Sequence, residues 1–138
     1  MILWRISDHL TIDGRGGLRI GGRWHRVGTE IVYTAESSAL AILEVLVHLE
    51  APHIPRDYQL LRIEVPDALN TSAFSGDPAQ SVSWGTNWAA SGDSALAKVP
   101  SFVAPHAYNW LINPRHSDAT GIVVADASRW PWDERLFR

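Results

Sequence analysis

Cysteine is absent from the 138-residue chain, and lysine occurs once, at Lys98. Without cysteine the fold cannot depend on disulfides, and no thiolate chemistry is available. No run of about 18 apolar residues occurs, so we expect no membrane span. The first residues, MILWRISDHL, lack the basic start and long apolar stretch of a signal peptide. We therefore expect a cytoplasmic protein.

The basic residues are dispersed and nearly all arginine. The formal net charge is −3 and no basic block occurs, which argues against direct binding to nucleic acid. Each arginine offers a planar fork suited to phosphate, which lysine does not. The length and the 46% of hydrophobic residues predict that residues 1–138 form a single domain with a substantial core.

Common catalytic motifs are also missing. The Gly-rich stretch GGLRIGGR lacks the GxGxxG spacing of dinucleotide-binding loops, and no phosphate loop ends in Gly-Lys-Ser/Thr. The six histidines show no HExxH spacing, so we expect no metal site. A GxSxG nucleophile elbow is absent as well.

Short apolar segments between Gly- and Pro-rich stretches predict a protein dominated by strands. The predicted strands are residues 2–6, 58–65, 101–104, 121–125 and a last edge strand within 129–138. We expect a hairpin that joins Trp24 to residues 31–35 through a turn near Gly28. Residues 88–96 predict a short helix, whereas residues 67–83 and NWLINPRH are expected to be loops. This order favours an α+β fold with a small mixed β core and few helices.

Residues 37–49 give the clearest helix signal. Ser37 or Ser38 can cap its N-terminus, and Pro52 limits its continuation. Apolar side chains cover well over half of its circumference and leave one narrow polar stripe. Glu44 and His48, four residues apart, lie one turn apart on this stripe.

Several isolated polar residues stand in apolar settings, and each also has a purely structural interpretation. Glu44 can be the solvent-facing side of an amphipathic helix, and Arg23 a surface residue or a cap on carbonyls. Tyr33 can be a half-buried core residue with a locally satisfied hydroxyl, and Ser101 after Pro100 a turn residue. None of these signals is specific by itself.

The order of several short motifs resembles the RES-domain toxins. The matching segments are LWRI, GGRWHRVGTEIVYTAESSALAILEVLVHLE, WGTNW, VPSFV and NWLINPRH. The resemblance covers almost the whole chain, and residues 21–50 are its most specific part. It implies a fold like that of ADP-ribosyltransferases and a toxin that breaks the nicotinamide–ribose bond of NAD, so that NAD is the substrate rather than a cofactor. Water or phosphate would accept the ADP-ribosyl group, and growth would stop.

The resemblance also assigns residues. It implies Arg23, Tyr33, Glu44 and Ser101 as catalytic, and Arg5 as a further family position. Physical chemistry fits this assignment, since Arg23 can hold a diphosphate while Gly22 lets the backbone approach closely. Glu44 can stabilise a ribosyl cation. The residues expected to bind NAD are Arg5, Gly22, Arg23, Trp24, Tyr33, His48 and Asn109.

The family pairs with Xre-type helix-turn-helix antitoxins, which the resemblance implies as the partner. We expect the antitoxin to insert a C-terminal segment near Arg23. Two alternative functions remain open: an ADP-ribosyltransferase that modifies a protein, and an inactive antitoxin-binding module. The segment Trp130-Pro131-Trp132 can belong either to a protein contact or to the core.

Overall fold

The computed structural model describes residues 1–49, 57–129 and 132–137. Within these residues, seven strands form one sheet, and two α-helices pack on it. The elements are β1 (Ile2–Ser7), β2 (Val32–Ala35), α1 (Ser38–Leu46), β3 (Gln59–Glu64), β4 (Thr71–Ala73), α2 (Ser81–Ser91), β5 (Leu96–Pro100), β6 (Tyr108–Ile112) and β7 (Val123–Arg129). Short 3₁₀ helices lie at Arg15–Leu18, Pro78–Gln80, Ser117–Gly121 and Glu134–Phe137. The α+β prediction is confirmed.

The sheet runs in the order β4-β5-β6-β2-β1-β3-β7. Neighbouring strands are antiparallel except for the parallel pair β4–β5. β1 pairs with β3 along its whole length, but among the described residues its register with β2 is the single pair Trp4–Ala35. Beside this pair the Arg5 side chain donates to the carbonyl of Tyr33 at 2.9 Å. The backbone ladder therefore opens between the two central strands.

Alternation along the strands separates the core into clusters on the two sides of the sheet. On β5, Leu96 packs with Leu3 and Ile63, whereas Ala97 and Val99 pack with Trp88 of α2. Successive side chains of a strand point to opposite faces, which produces this division. A third cluster joins Leu40 and Ala41 of α1 to Ile6, Ala35 and Trp132. No helix among the described residues is long and apolar enough to cross a membrane.

The strong helix prediction is confirmed by α1. The Ser37 side chain accepts a hydrogen bond from the N–H of Leu40 at 3.1 Å, as expected of an N-cap. The helix ends at Leu46, three residues before the predicted end, and Pro52 lies outside the described residues. Leu43 and Val47 are exposed, so the buried stripe is narrower than the apolar pattern indicated.

Three other predictions for secondary structure are wrong. Trp24 forms no hairpin with β2, because its N–H donates to the side-chain hydroxyl of Tyr33 rather than to a strand. The helix predicted at 88–96 is α2, which begins at Ser81 and ends at Gly92 in the left-handed conformation with φ 67°. Residues 67–83 also contain β4, so they are not only loop.

The C-terminal half is shifted relative to its predicted elements. No strand lies at 101–104, because β5 ends just before it at Pro100. The expected loop NWLINPRH begins with most of β6, which pairs with β2 on one edge and β5 on the other. β7 overlaps the strand predicted at 121–125 only from Val123 onward and continues to Arg129, because Gly121 ends a 3₁₀ helix. The last predicted strand is absent from residues 132–137, which hold a 3₁₀ helix. Trp132 is buried in the core, while Trp130, Pro131 and Arg138 lie outside the described residues.

Candidate active site

A cavity of about 1000 Å³ lies where β1 and β2 separate. Trp4 and Ile6 line it from β1, and Thr34 and Ala35 from β2. Ligand pockets commonly measure about 300–1,000 Å³, so this cavity lies at the upper end of that range. Eight of the residues that the sequence singled out line this cavity: Arg5, Gly22, Arg23, Trp24, Tyr33, Glu44, His48 and Asn109.

Glu44 is held in the cavity by two hydrogen bonds to one carboxylate oxygen. Its Oε1 accepts from Ser101 Oγ at 2.7 Å and from Asn109 Nδ2 at 2.8 Å. Within the described part of the chain, Oε2 receives no hydrogen bond. The half-buried carboxylate is thus fixed through one oxygen, and the other is free to meet a ligand.

Ser101 differs from the other sequence-predicted site residues in its position. It does not line the cavity, although its hydroxyl reaches Glu44. Its Oγ also accepts from the N–H groups of Val103 and Ala104, both at 3.1 Å. Ser101 therefore ties the turn after β5 to the Glu44 carboxylate.

The loop that carries Arg23 is seated on α2. Ser81 Oγ donates to the carbonyl of Arg23 at 2.8 Å, and the N–H of Arg26 donates to Thr86 Oγ1 at 3.0 Å. Between these two contacts, Gly85 meets the carbonyl of Trp24 so closely that a Cβ would collide with it. A glycine inside a helix usually marks such a close approach. α2 thereby fixes the backbone from the Arg23 carbonyl to Arg26.

Arg23 and two aromatic rings form one group at the cavity. Arg23 Cζ lies 4.6 Å from the centroid of the Phe102 ring, and that ring stacks on Trp24 with centroids 5.6 Å apart. Trp24 is only 2% exposed and also makes edge contacts with Phe74 and Trp84. It therefore offers little free ring surface to a ligand, whereas Phe102 is 38% exposed.

Tyr33 is fixed at both its backbone and its hydroxyl. The Arg5 guanidinium binds its carbonyl, while its hydroxyl lies 3.0 Å from the Trp24 nitrogen and 2.6 Å from His25 Nδ1. Burial raises the pKa of Tyr33 to about 12, and the hydrogen bond from the Trp24 N–H acts in the opposite direction. A Cβ at Gly22 would lie 2.6 Å from the Tyr33 hydroxyl oxygen, so this approach needs glycine.

Two guanidinium groups line the cavity without a carboxylate partner. Neither Arg5 nor Arg23 forms an ion pair within residues 1–49, 57–129 and 132–137. Burial lowers the pKa of Arg5, and the Asp8 carboxylate opposes this shift. Arg5 Nε is buried without a hydrogen-bond partner. Buried charges are usually paired, so the buried and unpartnered Nε of Arg5 at the cavity indicates an anionic ligand, whereas Arg23 is exposed.

His48 lines the cavity just after the end of α1, one turn beyond Glu44. Across the residues that the structure describes, no group of three His, Asp or Glu side chains is arranged to hold a metal ion.

Five residues that line or support the site carry no assignment from the sequence. They are His25, Ser81, Gly85, Thr86 and Phe102. One signal was available, since Gly85 stands between two tryptophans in a segment of helix-forming length. The contacts of Ser81, Thr86 and Phe102 join segments far apart in the chain. Those of His25 depend on how the loop between Ile20 and Tyr33 folds.

Comparison with known proteins gives a consistent result. The sequence profile of the RES domain family matches residues 2–133. The "Prs ADP-ribosylating toxin" of Sphingobium sp. (strain YBL2) is 41% identical, with 98% of this chain and 96% of the relative covered. "Toxin Res" of Pseudomonas putida is 40% identical, with 99% of this chain and 100% of the relative covered.

A solved structure shares the fold. It is the M. tuberculosis MbcT-MbcA toxin–antitoxin complex, which matches at a TM-score of 0.66 over 94% of this chain and 83% of the other. At 17% identity this likeness concerns the fold alone. From the profile match and the relatives at 40% and 41% identity, the chain belongs to the RES domain family of toxins.

Proposed function

We propose that this chain is the toxin of a toxin–antitoxin pair and cleaves the nicotinamide–ribose bond of NAD in the cytoplasm. The observation that carries the proposal is one cavity that contains both a fixed carboxylate and two unpaired guanidinium groups. Glu44 is the carboxylate, and Arg5 and Arg23 supply the positive charge. NAD is the substrate in this proposal, and no separate cofactor takes part.

The positive charge of the cavity suits the diphosphate of a dinucleotide. Arg23 is held at its carbonyl by α2 and through its neighbour Trp24 by Tyr33, so its backbone is fixed before ligand arrives. A guanidinium makes paired, charge-assisted hydrogen bonds to phosphate oxygens. Fixing the backbone reduces the entropy lost when these bonds form. Arg5, from β1, adds a second cation to the lining of the cavity.

The carboxylate suits the bond cleavage. As the bond between C1′ of the ribose and the pyridinium nitrogen breaks, its electron pair goes to that nitrogen and nicotinamide leaves as a neutral molecule. The ribosyl group then carries positive charge of the oxocarbenium type, which a nearby carboxylate stabilises. Glu44 meets this need because Ser101 and Asn109 hold only one of its oxygens. Water forms the new bond to C1′ and releases one proton to solvent, whereas phosphate forms it through an anionic oxygen that has no proton to lose.

A protein acceptor is the second candidate for the same cavity. The Sphingobium relative at 41% identity is named an ADP-ribosylating toxin, which favours this alternative. Both reactions share the first cleavage and differ in the nucleophile that follows. NAD labelled in the ADP-ribose half separates them, because breakdown gives free ADP-ribose or ADP-ribose 1″-phosphate, whereas transfer leaves the label on protein.

The direct test is release of nicotinamide from NAD by the purified protein. Glu44→Gln removes the charge but keeps an oxygen that Ser101 and Asn109 can bind, and we expect kcat to fall by about 100-fold or more. Arg23→Ala should mainly raise KM. Glu64→Gln and Arg19→Ala lie outside the cavity and serve as charge-matched controls. A wild type without activity, or folded Glu44→Gln and Arg23→Ala variants that match it, would contradict the proposal.

For the partner, we propose an Xre-type helix-turn-helix antitoxin that inserts a C-terminal segment near Arg23. The structural neighbour is part of a toxin–antitoxin complex, which supports an antitoxin partner. Ile20 and Val47 line the cavity and are 74% and 54% exposed, so the rim is apolar enough for a peptide segment. The full antitoxin should inhibit nicotinamide release, and a version without its C-terminal segment should not. Equal inhibition by both would exclude the insertion. An inactive binding module would bind both and release no nicotinamide.

A further inference from the structure

A buried histidine stands two residues after Arg23 and does not line the cavity. His25 is 4% exposed, with Nε2 at 2.9 Å from the carbonyl oxygen of Ile20 and Nδ1 at 2.6 Å from the Tyr33 hydroxyl oxygen. Both ring nitrogens are therefore engaged. A buried imidazole with two specific partners beside a candidate ligand-binding arginine needs an explanation beyond filling space.

The two partners together define the protonation of the ring. A carbonyl oxygen can only accept, so Nε2 carries a proton and donates it to Ile20. Burial lowers the pKa of His25, which favours the neutral ring, while its backbone hydrogen bonds oppose the shift. In the neutral ring Nδ1 has no proton and accepts from the Tyr33 hydroxyl. The single hydroxyl proton of Tyr33 is thereby committed to His25.

Because the hydroxyl donates its proton to His25, the oxygen can only accept from the loop that carries Arg23. With its proton on His25, the Tyr33 oxygen presents its lone pairs and accepts the N–H of Trp24 at 3.0 Å. Trp24 directly follows Arg23, and Gly22 directly precedes it. A Cβ on Gly22 would also meet His25 Cε1 at 3.2 Å, so both neighbours of Arg23 are packed against the Tyr33–His25 pair.

We infer that His25 is a positioning residue for Arg23, acting through the Tyr33 hydroxyl. The imidazole orients the hydroxyl, the hydroxyl holds the Trp24 N–H, and the held backbone sets where the Arg23 guanidinium enters the cavity. The inference rests on the proposed binding of a diphosphate by Arg23. It also gives the Tyr33 hydroxyl a different role from that of a proton donor to the substrate, because its proton is already used.

A purely space-filling His25 would behave differently under substitution. His25→Leu keeps the apolar volume and removes the acceptor, whereas His25→Asn places an amide oxygen near the position of Nδ1. Tyr33→Phe keeps the ring and removes the hydroxyl. If the hydrogen bonds from His25 through Tyr33 to Trp24 matter, His25→Asn should retain much of the NAD affinity that His25→Leu loses. If only packing matters, His25→Leu should be the milder change.

The experiment measures KM and kcat for NAD, together with the equilibrium affinity for NAD, in these variants. We expect His25→Leu and Tyr33→Phe each to weaken NAD binding about tenfold with a smaller change in kcat. The double variant should be no worse than the poorer single variant, since both act through one unit. In an Arg23→Ala background, His25→Leu should cause no further loss of NAD affinity. The inference would be overturned if the losses of affinity from His25→Leu and Tyr33→Phe add in the double variant. It would also be overturned if His25→Leu weakens NAD binding equally with Arg23 present and with Arg23→Ala.

A second measurement is independent of activity. Nitrogen-15 NMR of the wild-type imidazole should show the tautomer with the proton on Nε2, and Tyr33→Phe should shift the Nδ1 resonance. A proton on Nδ1 in the neutral ring would overturn the inference even if the variants fail to fold. If the wild type shows the expected tautomer but does not bind NAD, the proposed function is contradicted, whereas the hydrogen bond between His25 and Tyr33 is confirmed.

Discussion

The Ser101 hydroxyl donates to Glu44 Oε1 across 2.7 Å, although the two residues are 57 positions apart in the chain. Ser101 Oγ also accepts from two N–H groups of its own turn, at Val103 and Ala104. Its proton and its lone pairs are thus all engaged, and it does not line the cavity. Ser101 therefore acts on the reaction through Glu44 rather than on the ligand.

Ser101→Ala should lower kcat for nicotinamide release about tenfold, because a hydrogen bond to a charged group contributes about 1.5–3 kcal/mol and Asn109 retains part of the constraint. Ser101→Thr keeps the hydroxyl and should stay within about threefold of wild type by the same reasoning. Steady-state kinetics with saturating NAD measures both. An alanine variant as active as the threonine variant would show that the Ser101–Glu44 contact has no catalytic consequence.

The sequence predicts those elements whose signals are local. α1 follows from its Ser37 cap and apolar periodicity, and β1 and β3 from short apolar segments. β6 was missed because Asn109 and nearby Pro114 are typical of loops. Pairing with β2 and β5 satisfies its backbone on both edges, and such tertiary context overrides local preference.

The residues of the site also differ in whether the sequence alone identifies them. The family resemblance assigns Arg23 and Glu44, and the structure places both on the wall of one cavity. The reason that Ser101 matters is not visible in the chain, since it depends on a turn meeting a distant helix. His25 was also passed over, because its partners become apparent only when the loop folds back over Tyr33.

Gly85→Ala should destabilise the protein, although alanine favours helices. Helix propensity alone predicts a gain of about 1 kcal/mol. The added Cβ would meet the Trp24 carbonyl, a backbone atom, and overpacking of this kind costs about 1–3 kcal/mol or more. Urea unfolding should therefore show a net loss, together with reduced NAD affinity as the Arg23 loop shifts. Asn87→Ala, on the exposed side of α2, is the matched control for propensity and should not lower stability.

Phe102→Ala should raise KM for NAD about three- to fivefold, because a cation–π contact at a partly exposed site contributes about 0.5–1 kcal/mol. The change removes the ring that lies under the Arg23 guanidinium and covers Trp24. Phe102→Tyr preserves the ring face and should bind NAD like wild type. Weaker binding by the tyrosine variant than by the alanine variant would show that the ring does not support Arg23.

Tyr33 should make stability fall at alkaline pH. Its folded-state pKa is raised to about 12 by burial, whereas an unfolded tyrosine titrates near pH 10. Between these values the unfolded chain loses a proton that the folded protein retains, so the stability present below about pH 10 is lost as pH rises toward 12. The loss from this group is about 1.4 kcal/mol per pH unit at most. The free energy of unfolding in urea, measured for wild type and Tyr33→Phe at pH 9 and pH 11, isolates the contribution of Tyr33, since the other titrating groups are common to both proteins. The stability advantage of wild type over Tyr33→Phe should shrink at pH 11, and an unchanged difference would mean that the Tyr33 hydroxyl titrates as if exposed.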